Sequence, residues 1–286
     1  MATFFNQASL SFNGYVTNSN VTQGEFLEVL SATKTAISSS YGAEDGIVYA
    51  LSIFNSGSGT LNEITVSDDL GAYTVSGVTV TPLDYTDGSL RLYINGILQP
   101  PPTVTAGPPL TVSGFSIPQG ETALILYEAR TNAFAPLAAD SEITNTATVS
   151  SQSPCAEGPI TASATVAVEN FTNLSIAKNI SPDTVVGCDE LTYTFVIQNS
   201  GNRDAVATDD LIVRDTFSPA LSNIAVTFNG TAWTEGVNYT YDETTGEFAT
   251  LPGQITVPAA IFTQDQASGV ITTTPGTSVL TVSGTV

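Results

Sequence analysis

Polar and apolar residues alternate along much of this chain with a period of two, the pattern of strands that bury one face. The run Phe5 to Phe12 follows it and is closed by Asn13-Gly14, a hairpin-turn signal, so a β-strand is predicted there. A second run, Thr144 to Ser150, repeats its core: Asn, a polar residue, Ala, a hydroxyl residue and an apolar residue, in that order. Ala123–Glu128 and Leu280–Val286 read as further strands. Clusters of Gly, Pro, Asn, Asp and Ser separate such runs throughout, and no amphipathic helix stands out. The pattern predicts an all-β chain, and no apolar run is long enough to cross a bilayer as a helix.

The same patterns occur twice, in order. Leu30–Lys34 resembles Leu174–Lys178, and Tyr49–Gly57 resembles Tyr193–Gly201. Ile64–Asp68 matches Leu211–Asp215, Tyr93–Gly96 matches Thr227–Gly230, and Pro118–Leu124 matches Pro275–Leu280 with one gap. The repeat unit is roughly 120–140 residues of short strands, the makings of a two-sheet sandwich. The expected organisation is an N-terminal donor strand or arm over 1–22, a first Ig-like β-sandwich over 23–150, a linker over 151–170, and a second Ig-like β-sandwich over 171–286. Ser153-Pro154-Cys155 and Glu157-Gly158-Pro159 supply the linker signal. The first unit reaches the Asn145 strand. The second shows no counterpart of that strand, whereas the Phe5–Phe12 strand precedes the first unit without a role inside it. A sandwich lacking an edge strand leaves backbone groups unpaired beside exposed core, so donation of the arm to another subunit is expected.

At 286 residues the chain has room for two ordinary domains, and 42% hydrophobic residues supply their cores. Six basic residues stand against 27 acidic ones, a net charge of −21, which argues against nucleic acid or an anionic membrane surface as partner. The acidity reads as solubility, since no EF-hand loop or acidic nonapeptide repeat is present. With no histidine, the Ser-His-Asp, Cys-His and imidazole-zinc arrangements are excluded. No metal site and no cofactor are expected. Cys155 and Cys188 leave open a disulfide, within or between subunits, or two free thiols. The start of the sequence has no basic segment followed by an apolar one, so no secretion signal is visible.

The chemistry lies in the lysines. There are only two, Lys34 and Lys178, both at the same position of the repeat. Each has an in-register aspartate, Asp68 or Asp215, and the first unit adds Asn145. Lys, Asp and Asn on neighbouring strands of a sandwich are what a self-formed isopeptide bond requires: burial favours the neutral amine, and the acid polarises the carboxamide and moves protons while Nζ displaces ammonia. A Lys34–Asn145 bond inside the first unit is therefore expected, with Asp68 assisting. Lys178 and Asp215 lack an Asn of their own, and the donated strand carries Asn6, so a Lys178–Asn6 bond between subunits is expected as well. The blander alternative is a buried Lys–Asp ion pair with Asn as a hydrogen-bond partner.

These motifs resemble the bacterial surface "conserved repeat" Ig-like domain family, domain of unknown function 11. Ser175–Lys178, Tyr193–Gly201 and Val213–Asp215 carry the resemblance, as do Lys34, Tyr49–Gly57, Asp68 and Ile143–Ala147. It implies the sandwich fold and an extracellular structural role, and two-domain members are similar to spore-appendage subunits of Gram-positive bacteria. The expected function is a subunit of a self-assembling fibre at the cell or spore surface, its partner being other copies of itself. The alternative is an adhesin or glycan-binding module acting as a monomer. Apart from the single-turnover bond formation, no enzyme is expected.

Overall fold

The computed structural model describes every residue except 1, 27–28 and 154–157. The chain is all-β and divides into two compact units, residues 1–135 with 142–166 and residues 136–141 with 167–286.

The arm consists of β1 (Ala2–Asn6), β2 (Ser9–Phe12), β3 (Tyr15–Asn18) and β4 (Thr22–Phe26). It is one antiparallel hairpin. Phe12 pairs with Tyr15 and Ser9 with Asn18, then Asn6 with Thr22 and Phe4 with Gly24. The register slips by one residue around Asn20–Val21, where Ser19 Oγ accepts the Ala8 amide and closes the gap. Asn13 and Gly14 take φ of 48° and 82° at the tip, the left-handed pair that a two-residue hairpin turn demands. The predicted Phe5–Phe12 strand is thus divided at Gln7-Ala8, and the expected arm limit at residue 22 falls inside its pairing, since β4 continues to Phe26.

The first unit follows with β5 (Leu30–Ala36), β6 (Ser40–Tyr41), β7 (Gly46–Asn55), β8 (Leu61–Asp68), β9 (Tyr73–Val75), β10 (Val78–Val80) and β11 (Leu83–Tyr85). It continues through β12 (Arg91–Ile94), β13 (Ile97–Leu98), β14 (Thr103–Thr105), β15 (Leu110–Ile117), β16 (Thr122–Thr131), β17 (Glu142–Ser151) and β18 (Ile160–Val168). One sheet runs β13-β12-β16-β7-β5, and the other β14-β15-β8-β17-β18-β6. Alternation places Ile47, Tyr49, Leu51 and Ile53 of β7 inward, opposite Ile143, Ala147 and Val149 of β17. Each such burial stabilises by about 1.5–3 kcal/mol. The linker expected over 151–170 is corrected here: Ile160–Val168 is a strand of this sandwich. Its Ala162, Ala164, Val166 and Val168 fill one face, and the Pro/Gly composition upstream marks only the connection that leads into it.

The second unit holds β19 (Leu174–Ser181), β20 (Glu190–Asn199), β21 (Arg214–Thr216), β22 (Ser222–Phe228) and β23 (Thr231–Ala232). Then come β24 (Tyr239–Tyr241), β25 (Glu247–Thr250), β26 (Ile261–Gln264), β27 (Ile271–Thr274) and β28 (Gly276–Thr285). Its larger sheet runs β19-β20-β28-β22-β23, and the facing sheet has three strands, β21-β25-β24. Phe217, Phe248, Ile255, Leu280 and Val282 form the core between them. In the first unit β8 is flanked on both sides, by β15 and β17. Its counterpart β21 pairs only with β25 among the described strands. Without a neighbour, only Arg214–Thr216 of the expected strand keeps extended pairing.

The repeated Asn-Ser-Gly is explained by backbone needs. Buried Asn55 donates to the carbonyls of Gly59 and Ile117 and accepts the Gly57 amide; Asn199 accepts the Gly201 amide and donates to Arg203.

Candidate functional site

Three strands of the first unit bring the predicted residues together. Lys34 projects inward from β5, at the edge of one sheet. Asp68 ends β8 in the facing sheet, and its register partner on β17 is Ala147, two residues from Asn145 on the same face. All three are buried, with Asn145 fully so. Lys34 Nζ lies 2.6 Å from Asp68 Oδ2, and 5.0 and 5.8 Å from the ring centroids of Tyr49 and Tyr127. Those two rings stack 5.5 Å apart.

Tyr127 was not anticipated from the sequence. Its hydroxyl donates to Asp68 Oδ2 at 2.6 Å and accepts from Asn145 Nδ2 at 3.0 Å, so it links the acid to the carboxamide nitrogen. The available signal was its place in the alternation of β16, directly across from Tyr49 of the repeated motif. Asn145 Oδ1 has no hydrogen-bond partner among the described residues, a cost of about 1–3 kcal/mol for a buried acceptor.

Burial lowers the Lys34 pKa from its ordinary 10.5, with the Asp68 carboxylate opposing that shift. Burial pushes the Tyr127 hydroxyl well above its ordinary 10.0, with nearby Asp68 adding to the effect, so it keeps its proton. The cluster therefore holds a lysine whose charge burial disfavours, an acid in direct contact with it, and a carboxamide tied to that acid through a protonated phenol.

The second unit contains half of this arrangement. Lys178 on β19 contacts Asp215 on β21 and lies over the Tyr193, Phe195 and Phe217 rings at 4.4, 5.6 and 5.4 Å. The Lys178 side chain is 40% exposed, whereas that of Lys34 is fully covered. Every residue of β19 is exposed, whereas Leu30 and Lys34 of β5 are buried. Beside β19 opens an apolar groove of about 180 Å³ lined by Leu174, Ile176, Ile197, Ile212, Val213 and Ile255. Across from Tyr193 stands Val282 where the first unit has Tyr127, so this half-site lacks the bridging hydroxyl.

Asn6 sits on β1 in the exposed arm. Cys188 is exposed, and Cys155 lies outside the described residues.

No protein-family model matches the chain, and no curated protein does. The resemblance to the conserved-repeat family therefore rests on the quoted motifs alone. Among solved structures, the chain is similar to the major pilin subunit BcpA of Bacillus cereus, with a TM-score of 0.38 and 12% identity over 87% of this chain and 66% of that one. It is similar to the full-length major pilin SpaD from Corynebacterium diphtheriae, with a TM-score of 0.37 and 11% identity over 85% of this chain and 58% of that one. The pilus backbone RrgB from Streptococcus pneumoniae gives a TM-score of 0.36 and 10% identity over 86% and 55%. The chain thus spans a little over half the length of SpaD and RrgB. At this distance no residue role carries across.

Proposed function

We propose that this chain is the subunit of a self-assembling extracellular fibre at a bacterial cell or spore surface. Each copy donates its arm to the second unit of the next, and isopeptide bonds lock the result. The carrying observation is the contrast between the two lysine centres. One has Lys, Asp and Asn enclosed; the other has a partly exposed Lys and Asp on strands whose preceding residues, Ile176 and Val213, line an open groove, while an Asn-bearing strand stands exposed in the arm.

In the first unit the chemistry runs from the ion pair. Lys34 passes a proton to Asp68 across their 2.6 Å contact, and the neutral Nζ attacks Asn145 Cγ. Asp68 gives its proton to the Tyr127 oxygen as Tyr127 gives its own to Nδ2. Asp68 then takes a proton from the attacking nitrogen. The Cγ–Nδ2 bond breaks, ammonia leaves, and one amide replaces another. Fixed geometry supplies the effective concentration of the amine. Between subunits, Lys178 passes its proton to Asp215 and attacks Cγ of Asn6 on the incoming arm; with no phenol between them, Asp215 itself gives that proton to Nδ2 and takes one from the attacking nitrogen as ammonia leaves.

The test is reducing, denaturing electrophoresis of boiled protein with Asn6→Ala and Lys178→Ala variants alongside, and intact mass on the monomer band. A ladder lost in both variants, with monomer one ammonia lighter than the sequence, supports both bonds. Full-mass monomer and no assemblies by microscopy overturns the fibre and leaves a binding module.

A further inference from the structure

We infer that the element donated between copies is a two-stranded hairpin, residues 2–26, and that its return strand takes the place of β18 in the acceptor. This rests on the fibre reading above and specifies its interface.

In the first unit the strand bearing Asn145 does not stand alone at the sheet edge. β18 turns back along it, and the order β8-β17-β18 puts two strands beyond β8. The second unit shows neither among its described strands, since its facing sheet is only β21-β25-β24. The arm has both. β1 carries the Asn and β2 extends it, and β3 and β4 return along them in one hairpin with a single register slip.

The correspondence holds residue by residue over β1 and β4, up to the one-residue slip at Asn20–Val21. From Asn145 to the end of β17 is the same number of residues as from Asn6 to the end of β2. The pairs Thr144–Thr165 and Thr146–Ser163 hydrogen-bond across β17 and β18, which sets Asn145 opposite Ala164 and Ile143 opposite Val166. In the arm Asn6 is opposite Thr22 and Phe4 opposite Gly24. Superposing Asn6 on Asn145 places Phe4, Ala8 and Leu10 where Ile143, Ala147 and Val149 are buried. Phe4 and Leu10, on the face that matches, are among the exposed large apolar side chains of the arm, as is Phe5 on the other face.

The pair Phe4/Gly24 shows that both strands of the hairpin belong to one packed unit. A Cβ at Gly24 would stand 2.3 Å from the Phe4 ring. The first unit divides the same space as Ile143 and Val166, both buried. The arm instead combines a large residue on one strand with none on the other. Only a return strand that stays paired would need that exchange of volume. Each hairpin also leads directly into the first strand of a unit, β18 into β19 and β4 into β5. Each unit's open edge is therefore matched by the hairpin that precedes the following unit, and for the second unit that is the arm of another copy.

The test compares ladder formation by the full-length chain carrying Gly24→Val, the double variant Phe4→Ile with Gly24→Val, and Asn6→Ala as reference. Crowding Phe4 should slow assembly about tenfold or more, and the double variant, which reproduces the Ile143/Val166 pair, should restore it. If residues 2–12 alone were donated, the hairpin would have to open first, and Gly24→Val would leave assembly unchanged or speed it. Either result, or failure of the double variant to restore the ladder, overturns the hairpin while strand donation stands. A ladder that persists in Asn6→Ala overturns the Lys178–Asn6 bond, and no ladder together with no assemblies by microscopy from the unaltered chain overturns the fibre reading itself.

Discussion

The hydroxyl of Tyr127 donates a 2.6 Å hydrogen bond to Asp68, and the same oxygen accepts from the carboxamide that Lys34 would attack. In the proposed reaction the assisting acid and the leaving nitrogen are thus joined through one phenol. Val282, which faces Tyr193 as Tyr127 faces Tyr49, offers no such path in the second unit.

Tyr127→Phe keeps the ring stack and removes the link. Intact-mass time courses after refolding should show ammonia loss slowed by about 100-fold, the lower end of what a positioned proton donor supplies. The circular dichroism of the folded protein should match that of the unaltered chain. An unchanged rate would mean that Asp68 serves the leaving nitrogen without Tyr127.

Removing the aspartate should have unequal effects in the two units. In an Asn145→Ala background, which has no bond in the first unit, Asp68→Ala strands a fully covered Lys34 and should cost about 3–5 kcal/mol. Asp215→Ala, beside a Lys178 that is 40% exposed, should cost about 1 kcal/mol or less. Denaturant titration of each variant checks the difference.

The Lys34 bond should form more slowly at high pH. Burial lowers the Lys34 pKa, so the neutral amine in the folded unit becomes dominant at a lower pH than in the unfolded chain. Above the lowered pKa the Lys34–Asp68 pair has lost the one proton that Asp68 passes to the leaving nitrogen, so the rate should fall there, at a pH below 10.5, the ordinary lysine value. In the unbonded chain stability moves the other way: above the lowered pKa the unfolded state binds the extra proton, so stability rises with pH up to the ordinary value. Refolding at stepped pH with acid quench and mass analysis reads the rate.

Leu10→Asp should abolish assembly without weakening the monomer. Leu10 is 66% exposed in the arm, while Val149, its counterpart on β17, is fully buried. A carboxylate carried into that position has no partner there. Thermal melts should agree within about 1 °C of the unaltered monomer, given that exposed substitutions rarely exceed about 0.5 kcal/mol. Electron microscopy should show no fibres.

The sequence by itself determined the strands of the repeat and picked out Lys34, Asp68 and Asn145, which the structure brings into one buried cluster. Period-two alternation is local, and two lysines at one repeat position, each followed by an in-register aspartate, are visible without any fold. Asn145 was legible because its strand recurs around Asn6. Tertiary structure alone decided what these residues face. Tyr127 joins Asp68 only because β16 and β8 lie in opposite sheets of one sandwich, a relation between positions 59 residues apart. β18 was read as linker because its Pro/Gly surroundings are local, whereas its right to be a strand comes from β17 beside it. Lys34 and Lys178 occupy the same place in the pattern, yet one is enclosed and the other half open, because burial depends on which strands stand alongside. Alternation tells a residue which face it is on, and only the neighbouring strands determine whether that face is covered.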